Sequence, residues 1–347
     1  MKKKIMYLDI ARIIATFAVI VIHIAASKPY WNNYGFDTYE WNIFNLFTSC
    51  SRWAVPIFCM ISGALFLDPD RKVDTKKLYT KNILRMVISF VFWSAFYIVA
   101  QYELINKDLT KADIIKKFVG GHYHMWFLFL IVGFYILVPV LRKITADKNT
   151  AKYFVGVAMV FTFIIPFLLQ HPKLDWAYKP VDKVFMFLPL GYTSYFIIGY
   201  LINKFGIKKW MKAIIYIVGP LSFLATVYIT SSKSIEAGKY FGTIGNYNSI
   251  AVLFESLFVI TIIKDICEKI KFKPKTEKFI GTLSKDTFGI YFLHPFAITT
   301  IDTVLKLNPV TYNPLLSITL ILIITYVVCE IVSHILNKIP IIKNYLV

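Results

Sequence analysis

Acidic side chains are scarce in this chain: 20 Asp and Glu stand against 39 Lys and Arg, a formal net charge of +19 over 347 residues. Cysteine is scarcer still. The four copies, Cys50, Cys59, Cys267 and Cys329, have no metal-ligand spacing and fall in or beside apolar runs. That argues against a zinc site or a disulfide framework and for packing residues. No connection is long enough for a soluble module, no Pro-, Gly- or Ser-rich linker or low-complexity stretch occurs, and no internal repeat of the transporter kind stands out. The expectation is one domain over residues 1–347 with no resident metal.

Apolar residues are abundant. A chain that is 57% hydrophobic and 17% charged, with mean hydropathy +0.60, has more apolar surface than a soluble core can hide. The bilayer is the expected solvent. Runs near the roughly 20 residues that cross a membrane lie at 8–27, 43–67, 83–101, 124–141, 153–170, 185–202, 213–230, 247–263, 280–301 and 315–336. The expected fold is therefore all-α, a polytopic bundle of about ten transmembrane helices.

In a soluble protein such basicity would suggest nucleic acid. With the MKKK end placed in the cytoplasm, however, 25 of the 39 basic residues fall to inner segments and 11 to outer loops, leaving Arg12, Arg52 and the boundary residue Lys285. Positive charge is retained inside. The charge is thus a topology signal that puts both termini in the cytoplasm and argues against a nucleic-acid partner.

The first run, "YLDIARIIATFAVIVIHIAAS", carries Asp9, Arg12 and His23. A basic start and "IAAS" resemble a cleavable leader, but Asp9 and Arg12 sit inside what would be its apolar region. On a helix, Arg12 lies roughly 60° from Asp9, and His23 returns to roughly 40° on the same side. That face must point into the bundle, because charge presented to lipid is costly. Asp9 and Arg12, three apart, are expected to pair near the inner interface. His23 lies roughly 6 Å below the outer surface and Arg52 of the second run roughly 13 Å, at 1.5 Å per residue. Glu255 falls near the middle of the eighth run and His294 in the outer half of the ninth.

A histidine with a carboxylate in reach suits proton abstraction from a hydroxyl, and an arginine suits a phosphate or an oxyanion. Group transfer within the membrane fits these groups. A proton-coupled transporter or a flippase for a small molecule or lipid-linked sugar uses similar ones. A scaffold would leave the intramembrane charges unexplained.

"LDIARIIATFAVIVIH", with Arg12, ten residues and His23, resembles the opening of the membrane acyltransferase 3 family, integral-membrane acyltransferases of bacterial surface glycans. "RWAVPIFCMISGALFL", ending on Ser62 and Gly63, resembles its second-helix signature. "MWFLFLIVGFYILVPVL" is similar to its "WFL…Y…P" helix, and "FGIYFLHPF", with Tyr291, His294 and Pro295, to its late "Y-x-x-H-P" helix. The four occur in order over nearly the whole chain. The third helix departs: "YTKNILRMVIS" keeps Arg85 but has Asn82 where the family often has arginine, and lacks the usual proline. Without the esterase-like domain many relatives append, the chain resembles the stand-alone kind.

The resemblance implies a multi-pass O-acyltransferase of the plasma (inner) membrane, moving an acyl group, most often acetyl from cytoplasmic acetyl-CoA, to a hydroxyl of a surface glycan or lipid-linked sugar, directly or through an enzyme adduct. His23 would be the general base and Glu255 its orienting or proton-sharing carboxylate. Arg12 would hold the donor, Arg52 would steady the thioester oxyanion, and Lys81 and Arg85 would be phosphate contacts or lipid anchors at the inner mouth. Tyr291 would meet the acceptor, His294 would do so or equally serve as a helix-packing histidine, and Trp126 would stack on a sugar. His122 and His124 are expected to be interfacial packing residues, and Glu330 and His334, four apart, a solvated pair. The loop "KPYWNNYGFDTYEWN" fits a carbohydrate surface or an aromatic belt equally. The reading is compatible with a homo-oligomer.

Overall fold

The computed structural model describes residues 5–105, 110–169 and 191–347. The basic Lys2–4 cluster, Lys107, the outer loop at 173–183 and the start of the sixth run lie outside the described residues. Within them every regular element is helical: α1 (Met6–Ala25), α2 (Tyr39–Ser49), α3 (Ala54–Phe66), α4 (Leu84–Ile105), α5 (Lys111–Gly120), α6 (Trp126–Ala146), α7 (Lys148–Ala158), α8 (Gly191–Phe205), α9 (Lys209–Ala237), α10 (Ile250–Lys269), α11 (Pro274–Leu305), α12 (Pro314–Leu336) and α13 (Pro340–Tyr345). Among the described residues, eight helical stretches are long and apolar enough to cross a membrane. The other two expected spans are also helical, α10 with Glu255, Lys264 and Asp265 in its sequence and α8 from the first described residue onward.

The chain is a multi-pass membrane protein, and its helices carry the mark of a lipid solvent. On α9 the exposed residues are Ile214, Ile217, Leu221, Leu224 and Tyr228, at helical spacing. Its buried face is Ile215, Gly219, Ser222, Thr226, Thr230 and Ser234. Apolar outward and small or hydroxylated inward is the pattern expected where lipid replaces water and close packing replaces the hydrophobic drive.

Two compact units divide the chain, Met1–Arg71 with Val140–Gly281, and Lys72–Pro139 with Thr282–Val347. In the first, α8 packs on α3, α9 on α10, and α1 on α2, α3 and α10. Glycine sets the α3–α8 approach: a Cβ on Gly63 would fall on the Phe196 carbonyl, and one on Gly199 on the Met60 carbonyl. Beyond α3, the Arg142 guanidinium donates to four main-chain carbonyls, Phe66 at 3.0 Å, Asp68 at 2.7 Å, Pro69 at 3.2 Å and Arg71 at 2.7 Å. These are the orphan acceptors of a helix end and its following turn, satisfied by one side chain. Lys204 bridges Asp68, at 3.1 Å, and Asp70 beside it.

In the second unit, α11 contains Pro295, which has no N–H to give the helix. The Tyr97 hydroxyl enters the ladder there, donating to the Phe292 carbonyl at 2.5 Å and accepting from the Phe296 N–H at 3.3 Å. Trp93 stacks on Phe292 with centroids 5.2 Å apart. One face of α4 also binds the end of the chain: Ser89 donates to the Tyr345 carbonyl at 2.6 Å, Trp93 Nε1 to that of Leu346 at 3.0 Å, and Arg85 to that of Val347.

Candidate active site

The second expected span is not one continuous helix. It breaks at residues 50–53 between α2 and α3, and Arg52 lies in the break. Tight turns carry the backbone through, with Ser51 N donating to Thr48 O at 3.2 Å and Arg52 N to Ser49 O at 3.4 Å. Pro56 fits just beyond, in the first turn of α3, where its missing N–H would have had no intrahelical partner. The break releases Arg52 from a helical face and starts α3 beside it, so a guanidinium and the positive end of a helix share one level.

Arg52 links several of the first unit's polar groups. It lies within electrostatic reach of both His23, in the last turn of α1, and Glu255 of α10. Its Nη2 donates to the Tyr240 hydroxyl at 3.4 Å. Tyr240 meets Trp31 edge-on at 5.4 Å, Trp31 packs at 5.2 Å from Trp41, and Phe36 sits edge-on to Trp41 at 5.0 Å. The aromatic loop between α1 and α2 is therefore a folded cluster that reaches Arg52 through Tyr240.

Glu255 is 0% exposed. The Ser249 hydroxyl caps α10, accepting from Val252 N at 3.1 Å, which sets the helix that carries it. Its Oε1 is 2.7 Å from the Thr226 hydroxyl, and its Oε2 has no hydrogen-bond partner among the described residues. His23 and Arg12 are both partly buried on α1. A base candidate, a guanidinium and a buried carboxyl thus collect around one helix break, an arrangement able to move a proton and hold an oxyanion.

The remaining expected site residues belong to the second unit. Lys81 is exposed. Arg85, expected as a phosphate contact, is bonded to the Val347 main-chain carbonyl and lies 4.8 Å over the Phe288 ring. Trp126 is 39% exposed, and His294 is fully buried. His294 Nδ1 lies 3.1 Å from the Ile290 carbonyl, which can only accept, so Nδ1 carries the proton and Nε2 is the basic nitrogen.

One expected pairing changes, that of Glu330 with His334, and the two histidines expected to pack are packed. His124 is 2% exposed; its Nδ1 is 2.8 Å from that of His122, and its carbonyl accepts from the Tyr291 hydroxyl at 2.8 Å. His122 stacks on Tyr97 at 4.0 Å. His334 does not pair with Glu330 but meets Asp286 at 3.0 Å, where Asn337 also donates at 2.8 Å. Tyr97, Arg142, Thr226, Tyr240 and Asp286 were not singled out from the sequence. Only the Ser222–Thr226–Thr230–Ser234 series, four apart, carried a visible signal.

Comparison with known proteins agrees with this architecture. A family model described as "Acyltransferase domain", that of acyltransferase 3, matches residues 5–334 and so runs across both units. An "Amino-acid racemase" of Enterococcus faecalis is 21% identical over 99% of this chain, which spans about half, 48%, of that protein's length. A "Probable poly-beta-1,6-N-acetyl-D-glucosamine export protein" of Staphylococcus aureus is 22% identical over 70% of this chain and 68% of its own. No solved structure matches the chain. With nearly every residue from α1 to α12 inside the family match, the chain belongs to the acyltransferase 3 family.

Proposed function

We propose that the chain, acting as one catalytic domain in the plasma membrane with both termini in the cytoplasm, is an O-acyltransferase that uses acyl-CoA, most simply acetyl-CoA, to esterify a hydroxyl of a surface or lipid-linked glycan. His23 takes the hydroxyl proton as the acceptor oxygen attacks the thioester carbonyl carbon. Arg52 stabilises the oxyanion. The C–S bond breaks, the CoA sulfur receives the proton through His23, and the products are an ester and free CoA, so atoms and charge balance. Glu255 shares the proton load on this group. Arg12 would contact the phosphates of the donor, which is a substrate and not a resident cofactor.

The observation that carries this reading is Arg52 in the helix break, within electrostatic reach of His23 and Glu255 together, in a chain of an acyltransferase family. It is tested by incubating the purified chain in lipid nanodiscs with labelled acyl-CoAs and a glycan acceptor and measuring CoA release and ester formation. Loss of both in His23→Ala, with folding kept, is expected. Equal release by wild type and variant would remove His23 from the mechanism.

The name of the Staphylococcus aureus relative favours a second reading, export of a glycan. It predicts substrate movement across proteoliposomes with no acyl donor present, which the acyltransferase reading does not.

A further inference from the structure

We propose that Thr226 is a positioning residue that fixes where the Glu255 proton sits. Its hydroxyl oxygen lies 2.8 Å from the Ser222 carbonyl and 2.7 Å from Glu255 Oε1. A hydroxyl has one proton, and a carbonyl oxygen can only accept. If Thr226 gives its proton to Ser222, the contact with Glu255 is a hydrogen bond only when the carboxyl is the donor. The arrangement that uses each proton once is a neutral Glu255 donating to Thr226, which donates to Ser222.

The rest of the site agrees. Glu255 Oε2 is buried with no hydrogen-bond partner among the described residues, whereas an ionised carboxylate gathers donors on both oxygens. The charged and titratable groups facing Glu255 are Arg52 and Cys50 from the α2–α3 break and Tyr195 from α8. His23, on α1, which packs against α10, faces Arg52, and Tyr240 bonds Arg52. When Glu255 gives up its proton, Thr226 can turn its own to Oε1. The Ser222 carbonyl then keeps its second lone pair for the helical bond. The hydroxyl is a two-position switch that serves both forms of the carboxyl. Its effect on turnover rests on the acyl-transfer reading; the proton position does not.

The test is infrared difference spectroscopy of the full chain in nanodiscs at neutral pH, each protein against its Glu255→Gln counterpart. Wild type should show a carboxylic-acid carbonyl band that is absent after Glu255→Gln. That band should move to higher frequency in Thr226→Val, which keeps the side-chain shape, and stay put in Thr226→Ser. In acyl transfer, Thr226→Val should move a limb of the pH–rate profile by about half a pH unit or more, with Thr226→Ser restoring it; a packing role would lower the rate at every pH and leave the limbs in place. No Glu255-dependent acid band, or a band indifferent to Thr226→Val, overturns the proposal. A band that behaves as stated in a protein without acyl transfer from any donor would support the proton assignment and sink the enzyme reading.

Discussion

The Tyr97 hydroxyl sits against α11 next to Pro295, donating to the Phe292 carbonyl at 2.5 Å and accepting from the Phe296 N–H at 3.3 Å. Proline strips a donor from the helix, and in a lipid environment no water replaces it. Tyr97→Phe removes both of these contacts on α11. Their loss should cost about 1–3 kcal/mol, read as a lowered melting temperature in nanodiscs. An unchanged melt would show that α11 closes its own gap.

Arg142 holds four carbonyls with one planar group, which an ammonium cannot imitate. Arg142→Lys should therefore destabilise nearly as much as Arg142→Ala, by about 2–3 kcal/mol. Full stability in the lysine variant would mean that the charge matters and the fork geometry does not.

The α3–α8 crossing makes a comparison among glycines. Gly63→Ala and Gly199→Ala each push a methyl onto a backbone carbonyl across the contact, and each should cost at least the ~1–3 kcal/mol of an overpacked core. Gly133 has nothing within 4 Å of its would-be Cβ, so Gly133→Ala should be tolerated. Similar yields of folded protein for all three would contradict the close approach.

Outside the spans, Asp147 caps α7, its carboxylate accepting from the Thr150 N–H at 2.6 Å and the Thr150 hydroxyl at 2.8 Å. These bonds hold the carboxyl below its ordinary range. A depressed folded-state value stabilises above the unfolded value and is lost as pH falls through the folded one. Asp147→Ala should thus lower the melting temperature at neutral pH, with the gap to wild type closing in acid. A gap independent of pH would show that the charge is not involved.

The helical bundle was legible because apolar run length and loop charge depend on the bilayer more than on partners. The association of His23, Arg52 and Glu255 was partly legible, since each is an ionisable group where hydrocarbon is expected. The helix break at 50–53 was not, because Pro56 sits where a first turn tolerates it and nothing before it forbids a helix. Arg142 looked like one more inner-loop cation; its four acceptors sit more than 70 positions away in sequence. His334 takes Asp286, 48 residues distant, over Glu330 on its own helix face, because tertiary packing brings a buried carboxylate closer than the i,i+4 neighbour.

The most direct measurement is CoA release from labelled acyl-CoA by the reconstituted chain with an acceptor glycan, compared among wild type, His23→Ala and Arg52→Lys. Turnover by wild type, a fall of about 100-fold or more in His23→Ala, and failure of lysine to replace Arg52 are the predicted result. Equal thioester turnover in all three, each folded, would contradict the assignment of chemistry to this helix break.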